Sequence, residues 1–183
     1  LMELVSLVIA LHHALDAAEI PHAFGGALAL GYAGNPRGTV DVDINVFVSP
    51  EEMPRVRRAV SGLGYVDTSS ADDPPIPGRR FLHKIEPFPV DFFPSLDPAY
   101  DEIARRVVRH EFGPDHTLLP FLSAEDLCVF KLSFGRPQDW VDLAAIAQAQ
   151  PDLDVEYVER KLVGLRGATM YPRVARLRGL FRL

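Results

Sequence analysis

Asp41 and Asp43 lie two residues apart in Thr39–Val48 (TVDVDINVFV), an alternating, β-branched run that predicts a strand. Residues i and i+2 of a strand leave the same face, so the two carboxylates share it. Two carboxylates about 4 Å apart repel by roughly 4 kcal/mol at an effective dielectric of 20. Their neighbours Val40, Val42 and Ile44 are apolar, so an acid pair here needs a reason. A divalent cation held by oxygen ligands is the simplest, since Mg²⁺ takes one or two carboxylates together with substrate phosphates. The plainer alternative is an exposed strand edge on which Asp-x-Asp is polar alternation. Two further features favour the metal. Gly25-Gly26 stands between a short strand at 22–24 and a short helix at 27–32, where glycine lets a phosphate approach the backbone and helix N–H groups attract anions. Asp91, in Phe88–Phe93 (FPVDFF), is another acid inside an apolar strand: either an acid satisfied by backbone donors or a third metal carboxylate.

Gly25-Gly26, then Arg37-x-Thr39-x-Asp41-x-Asp43, then Asp91 on a later strand resembles the nucleotidyltransferase superfamily typified by DNA polymerase β, and most closely the AbiEii-type, toxin-like minimal nucleotidyltransferases. A second likeness lies in Ser123–Ile146, where Phe130-Lys131 precedes Arg136-Pro-Gln-Asp139-Trp-Val-Asp142. Gly-Gly stands where the commonest form of the family has Gly-Ser, which removes a hydroxyl able to reach a phosphate.

The resemblance implies an α+β nucleotidyltransferase fold, a small mixed β-sheet flanked by helices, with a helical C-terminal portion. It also implies a two-metal phosphoryl-transfer site. Asp41 and Asp43 would hold Mg²⁺, with Mn²⁺ as the alternative ion, on an NTP (ATP or another). Asp91 would complete the second metal site and help deprotonate the acceptor hydroxyl. Gly25 and Gly26 would cradle the phosphates. Lys131 would contact the triphosphate or be a solvated helix residue. Arg37 would contact phosphate or pin the Asp strand through a salt bridge, and Thr39 would orient the carboxylates. Family acceptors include a tRNA end, a protein side chain and a small molecule such as an antibiotic, and a toxin with an antitoxin partner is one setting.

The elements that must position these residues follow from periodicity and punctuation. Leu4, Leu7, Leu11 and Leu15 predict a helix over 3–19, ended by Pro21. Ser49-Pro50-Glu51-Glu52 opens a helix that stops near Gly62 or Gly64. Strands are expected at 65–68, 80–85 and 88–93, the last two joined at Glu86-Pro87. Asp72–Gly78 (DDPPIPG) reads as loop. A helix opening at Asp97 or Pro98 is expected to reach about Val108, followed by an extended piece at 118–121. Helices are expected at about 124–134, 138–149 and 154–164, the first opened by Ser123 with Asp126 in place of the usual capping-box Glu. Asp139 either caps the next helix or joins Asp142 in function. The division drawn from this pattern is a core with its N-terminal helix over 1–122 and a helical portion over 123–183.

The 183 residues suffice for a core, since a chain of this size buries about 70% of its unfolded surface. The single cysteine, Cys128, excludes an internal disulfide framework and a Cys-cluster zinc site, reads as a core thiol, and fits a cytoplasmic setting. Leu1–Leu11 is apolar but carries Glu3 and no basic flank, and is too short to span a bilayer, so no membrane association is expected. The six histidines show no His-x-x-x-His spacing, and neither a P-loop nor a Gly-x-Ser-x-Gly elbow occurs. The net charge of −6 is uneven: residues 160–183 carry seven basic residues and no acid. Val174, Leu177, Leu180 and Phe181 form one apolar stripe there, so this segment is either a docked helix with solvated arginines or an RNA-binding edge. Trp140 reads as an anchor between helices, and Arg79-Arg80 and Lys84 lie near the Asp91 hairpin, where they would add to either the triphosphate or the acceptor site. The chemistry expected is Mg²⁺-dependent transfer of a nucleoside monophosphate from an NTP to an acceptor hydroxyl. The alternative is a non-catalytic nucleotide-binding or protein-interaction relative of the same fold.

Overall fold

The computed structural model describes residues 2–68 and 78–181. Most of the loop expected at Asp72–Gly78 lies outside these residues, as do Leu1 and Arg182. The described chain forms two compact units, one of Leu1–Gly25 with Thr39–Phe121, the other of Gly26–Gly38 with Leu122–Leu183. Residues 26–38 thus group with the C-terminal helices, whereas the sequence division placed them with the core.

The first unit carries a seven-stranded mixed sheet among the described residues, in the order β3-β4-β5-β2-β1-β7-β6. Its strands are β1 (His22–Phe24), β2 (Val42–Val46), β3 (Val66–Asp67), β4 (Arg79–Leu82), β5 (Val90–Pro94), β6 (Val108–Phe112) and β7 (Thr117–Phe121). β2 runs parallel to β5 and β1 parallel to β7, while the other neighbours are antiparallel. Helices α1 (Leu4–Ala17), α3 (Met53–Ser61) and α4 (Tyr100–Arg105) belong to this unit. α1 packs on α3 and β7, burying Leu7, Val8, Leu11 and Leu15. Strand alternation then sets the sheet's two faces. Val42, Ile44 and Val46 of β2 and Val90 and Phe92 of β5 are buried in the core, and Phe92 meets Phe81 edge-on at 4.8 Å.

Two elements depart from the bounds that the sequence pattern suggests. The strand expected from Thr39 begins only at Val42, because Thr39 and Asp41 bond to one another in a local turn. The helix expected to reach Val108 stops at Arg105, and Val108–Phe112 is a strand paired with β7. Its sequence signal is the alternation of Val108, His110 and Phe112 followed by the Gly113-Pro114-Asp115-His116 turn.

The second unit contains α2 (Gly26–Ala33), α5 (Ala124–Phe134), α6 (Pro137–Ala149), α7 (Val155–Arg166) and α8 (Tyr171–Leu180). α2 packs on α5 and α6, α5 on α6 and α7, and α8 on α6 and α7. Gly34, just past α2, permits a close backbone approach: a Cβ there would stand 3.1 Å from the Ile146 nitrogen. Ser123 caps α5 by accepting from the Asp126 N–H. The Asp126 carboxylate accepts from the Ser123 hydroxyl at 2.7 Å and the Tyr157 hydroxyl at 2.6 Å.

Candidate active site

In the first unit β2 and β5 present the same pattern, a buried valine followed by an aspartate. The parallel register sets Val42 against Val90 and Asp43 against Asp91. Both aspartates therefore leave the face opposite the core. Asp41 lies in the bend before β2. There the Thr39 hydroxyl donates to the Asp41 carbonyl at 2.8 Å and stands 3.0 Å from its carboxylate oxygen. Thr39 thus holds the one acid of the three that no strand positions. Asp41, Asp43 and Asp91 each offer a carboxylate oxygen within 4.8 Å of the others, and all three side chains are partly exposed. The Gly25 N–H donates to the Asp43 carbonyl at 2.9 Å, tying the end of β1 to β2. Gly26 follows with a φ of 51°, a left-handed conformation that glycine adopts without steric cost.

Arg80, on β4 directly opposite Asp91, grips it with a two-point fork. Its Nε donates to one carboxylate oxygen at 2.8 Å and an Nη to the other at 2.6 Å. The same Nη lies 3.8 Å from Asp41. The hydrogen bond to Asp91 pushes the Arg80 pKa above its ordinary value; burial opposes that shift, and the charges of Asp91, Asp41 and Asp43 add to it. Further along the same face of β2, Asn45 is buried and its Nδ2 has no hydrogen-bond partner. Neither the Arg80 fork nor the Asn45 donor was assigned from sequence. The strand pairing that aligns Arg80 with Asp91 is the signal that would have shown the first.

The donor set suits a hard divalent cation. It consists of carboxylate oxygens, with neither imidazole nor thiolate, which fits Mg²⁺ or Mn²⁺ better than a softer metal.

The second unit holds another cluster, centred on Asp142 of α6. Asp142 is 2% exposed. It accepts from the Lys131 ammonium at 2.6 Å, from Arg37 Nε and Nη at 3.1 Å each, and from the Gln138 amide at 3.0 Å. Burial raises the Asp142 pKa, but the hydrogen bonds from Arg37, Lys131 and Gln138 outweigh it and hold the carboxyl below its usual range. Lys131 is therefore a buried, paired residue and not a solvated one. Arg37 makes its salt bridge to Asp142 of a helix, not to the Asp strand. Asp139 accepts from the Arg136 backbone N–H at 3.0 Å, the capping geometry. Cys128 is fully buried and burial pushes its thiol well up, as a core thiol requires.

Neither a family model nor a curated protein matches this sequence. Solved structures do. ANT(2'')-Ia in complex with adenylyl-2''-tobramycin is similar at 19% identity and a TM-score of 0.55, over 97% of this chain and 96% of that one. An antigenic nucleotidyltransferase-like protein from Paracoccidioides brasiliensis is similar at 15% identity and a TM-score of 0.55, over 97% and 96%. The lincosamide antibiotic adenylyltransferase LnuA, lincomycin-bound, is similar at 13% identity and a TM-score of 0.54, over 76% of this chain and 93% of that one. At these identities the likeness is one of fold: the chain has the mixed α+β fold of nucleotidyltransferases.

Proposed function

We propose that this chain is a Mg²⁺-dependent nucleotidyltransferase that moves a nucleoside monophosphate from an NTP to an acceptor hydroxyl. The observation that carries the reading is the convergence of Asp41, Asp43 and Asp91, one oxygen each within 4.8 Å, on a sheet of this fold. The three carboxylates would hold the divalent cations, which when bound supply neutralisation of charge on the attacking and leaving oxygens. Asp41 enters already oriented by Thr39, so less of its side-chain freedom is lost on binding. Asp91 would accept the proton of the acceptor hydroxyl. The acceptor oxygen then forms its bond to the α-phosphorus as the bond to pyrophosphate breaks. A nucleotide role for Gly25, Gly26, Arg37, Thr39 and Lys131 rests on the sequence resemblance alone: Thr39 holds Asp41, and Arg37 and Lys131 are engaged with Asp142.

For the acceptor we favour a small hydroxyl-bearing molecule over RNA. Solved neighbours of this fold include structures with adenylyl-2''-tobramycin and with lincomycin. Three basic residues of the C-terminal segment, which would have argued for a polyanion, have partners within their own unit. Arg173 donates to the Ser133 carbonyl at 2.8 Å, Arg178 pairs with Glu159 at 2.7 Å, and Arg176 lies 3.8 Å over the Trp140 ring. A tRNA or protein acceptor, an antitoxin partner and a cytoplasmic toxin role rest on the AbiEii-type resemblance alone. Among the described residues no helix is long and apolar enough to cross a membrane.

The test is transfer from α-labelled NTPs with Mg²⁺, offered to lysate RNA and protein and to a panel of hydroxylated antibiotics. Wild type should label one acceptor class, and Asp43→Ala should lose at least about a hundredfold in rate, since metal charge stabilisation is worth several kcal/mol. Absence of both transfer and Mg²⁺-dependent nucleotide binding would overturn the reading in favour of a non-catalytic relative.

A further inference from the structure

Arg80 sits where a metal-binding cluster of carboxylates would have least use for a fixed cation. It spends its fork on Asp91, occupying both carboxylate oxygens, and reaches toward Asp41 as well. A dication drawn to Asp41, Asp43 and Asp91 needs an oxygen of Asp91, and like charges on one carboxylate repel. The two ends of the ion pair also differ in freedom. The Asp91 side chain is 16% exposed, on a strand paired on both sides, while the Arg80 side chain is 52% exposed. Arg80 can therefore leave into solvent at little desolvation cost, whereas Asp91 stays. The planar fork that matches a carboxylate also matches a phosphate, which a lysine in its place would not do.

We propose that Arg80 is an exchangeable counter-cation: it holds Asp91 in the free protein, yields it when metal arrives, and transfers its fork to a phosphate of the bound NTP. The inference rests on the nucleotidyltransferase reading of the acid cluster and adds a coupling to it. Metal loading becomes weak without nucleotide and strong with it, because nucleotide gives the displaced guanidinium a partner. By reciprocity, metal tightens nucleotide by the same factor.

The experiment is titration of Mn²⁺ into the intact chain by calorimetry, for wild type, Arg80→Gln, Arg80→Lys and Asp43→Ala. Each is run alone and with the non-transferable α,β-methylene analogues of ATP, GTP, CTP and UTP, and circular dichroism confirms that every variant is folded. Without nucleotide, Arg80→Gln should bind Mn²⁺ about tenfold tighter than wild type, the effect of removing one close competing charge at a half-exposed site. The factor by which the preferred analogue tightens Mn²⁺ should shrink in the same variant. Arg80→Lys, which keeps the charge but loses the fork, should fall between the two. An unchanged or weaker Mn²⁺ affinity in Arg80→Gln would overturn the proposal, because Arg80 would then be only a brace for Asp91. If wild type binds Mn²⁺ and Asp43→Ala does not, the cluster stands as a metal site whatever Arg80 does. If neither wild type nor Arg80→Gln binds Mn²⁺ under any condition, the nucleotidyltransferase reading falls and the role of Arg80 with it.

Discussion

Asp142 shows how much one carboxylate can organise. It is buried, yet it serves Lys131, Arg37 and Gln138 together, and the Arg37 contact spans 105 positions of the chain. Removing it leaves the Lys131 ammonium, itself 5% exposed, without that partner in a poorly solvating interior. Breaking one side of a buried pair typically costs about 3–5 kcal/mol, whereas replacing both sides with apolar groups is often close to neutral. Asp142→Ala should therefore lose about 3 kcal/mol or more in urea unfolding, and Lys131→Met with Asp142→Leu should recover most of it. At this scale the sequence revealed the acids but not their partners. Asp41, Asp43 and Asp91 were legible because an acid in an apolar, alternating run stands out against its neighbours. The pairing of Arg80 with Asp91 was not, because it depends on the register of β4 on β5, and a shift of one residue would turn Arg80 to the other face. For Arg37 the sequence leaves a phosphate contact and a salt bridge to the Asp strand both open, and Asp142 was not legible as its partner because it lies on a helix far along the chain.

The elements themselves were mostly legible, and where they were not the reason is local. β6 was missed because its alternation is weakly apolar, with Arg109 and Glu111 between Val108, His110 and Phe112. As an edge strand it buries little, so composition gave no strong signal. The C-terminal helix was found, but its arginines were expected to be solvated or to meet RNA. Among the described residues Arg173 caps α5, Arg178 pairs with α7, and Arg176 lies exposed over the Trp140 ring of α6. The joint between α1 and β1 was not foreseen at all. His12 of α1 and His22 of β1 are buried and joined through their ring nitrogens at 3.0 Å, and His22 is also bonded to the Ile20 carbonyl at 2.8 Å. Burial pushes His22 down to about 4 and His12 below its usual value. The folded protein thus keeps these rings neutral where the unfolded chain protonates them near 6.5. Their contribution is full above that pH and is lost as pH falls toward 4, by about 3 kcal/mol from His22. Urea midpoints measured between pH 7 and 4 should show this loss, and His22→Gln should flatten it.

On the scale of the whole molecule the chain visits its two units alternately: 1–25 in the first, 26–38 in the second, 39–121 in the first and 122–183 in the second. A cut near residue 122, where the change from strands to helices suggests one, therefore leaves α2 without its partners. The fragment 1–122 should keep the sheet's strands but expose Ala27, Ala29, Leu30 and Ala33, all buried in the full chain. Hydrogen exchange should find 26–33 unprotected in that fragment and protected in the intact protein. The same threading sets an order of events during synthesis. α2 ends at Ala33, and α5, on which it packs, begins at Ala124. At about 5–20 residues per second, α2 waits roughly 5–20 s for α5 to be made. Over that interval an Ala/Leu-rich helix has no companion helix from its own unit, and its apolar side chains stay exposed. Slowing translation between codons 34 and 124 should lengthen that exposure, while faster translation through the same stretch should shorten it.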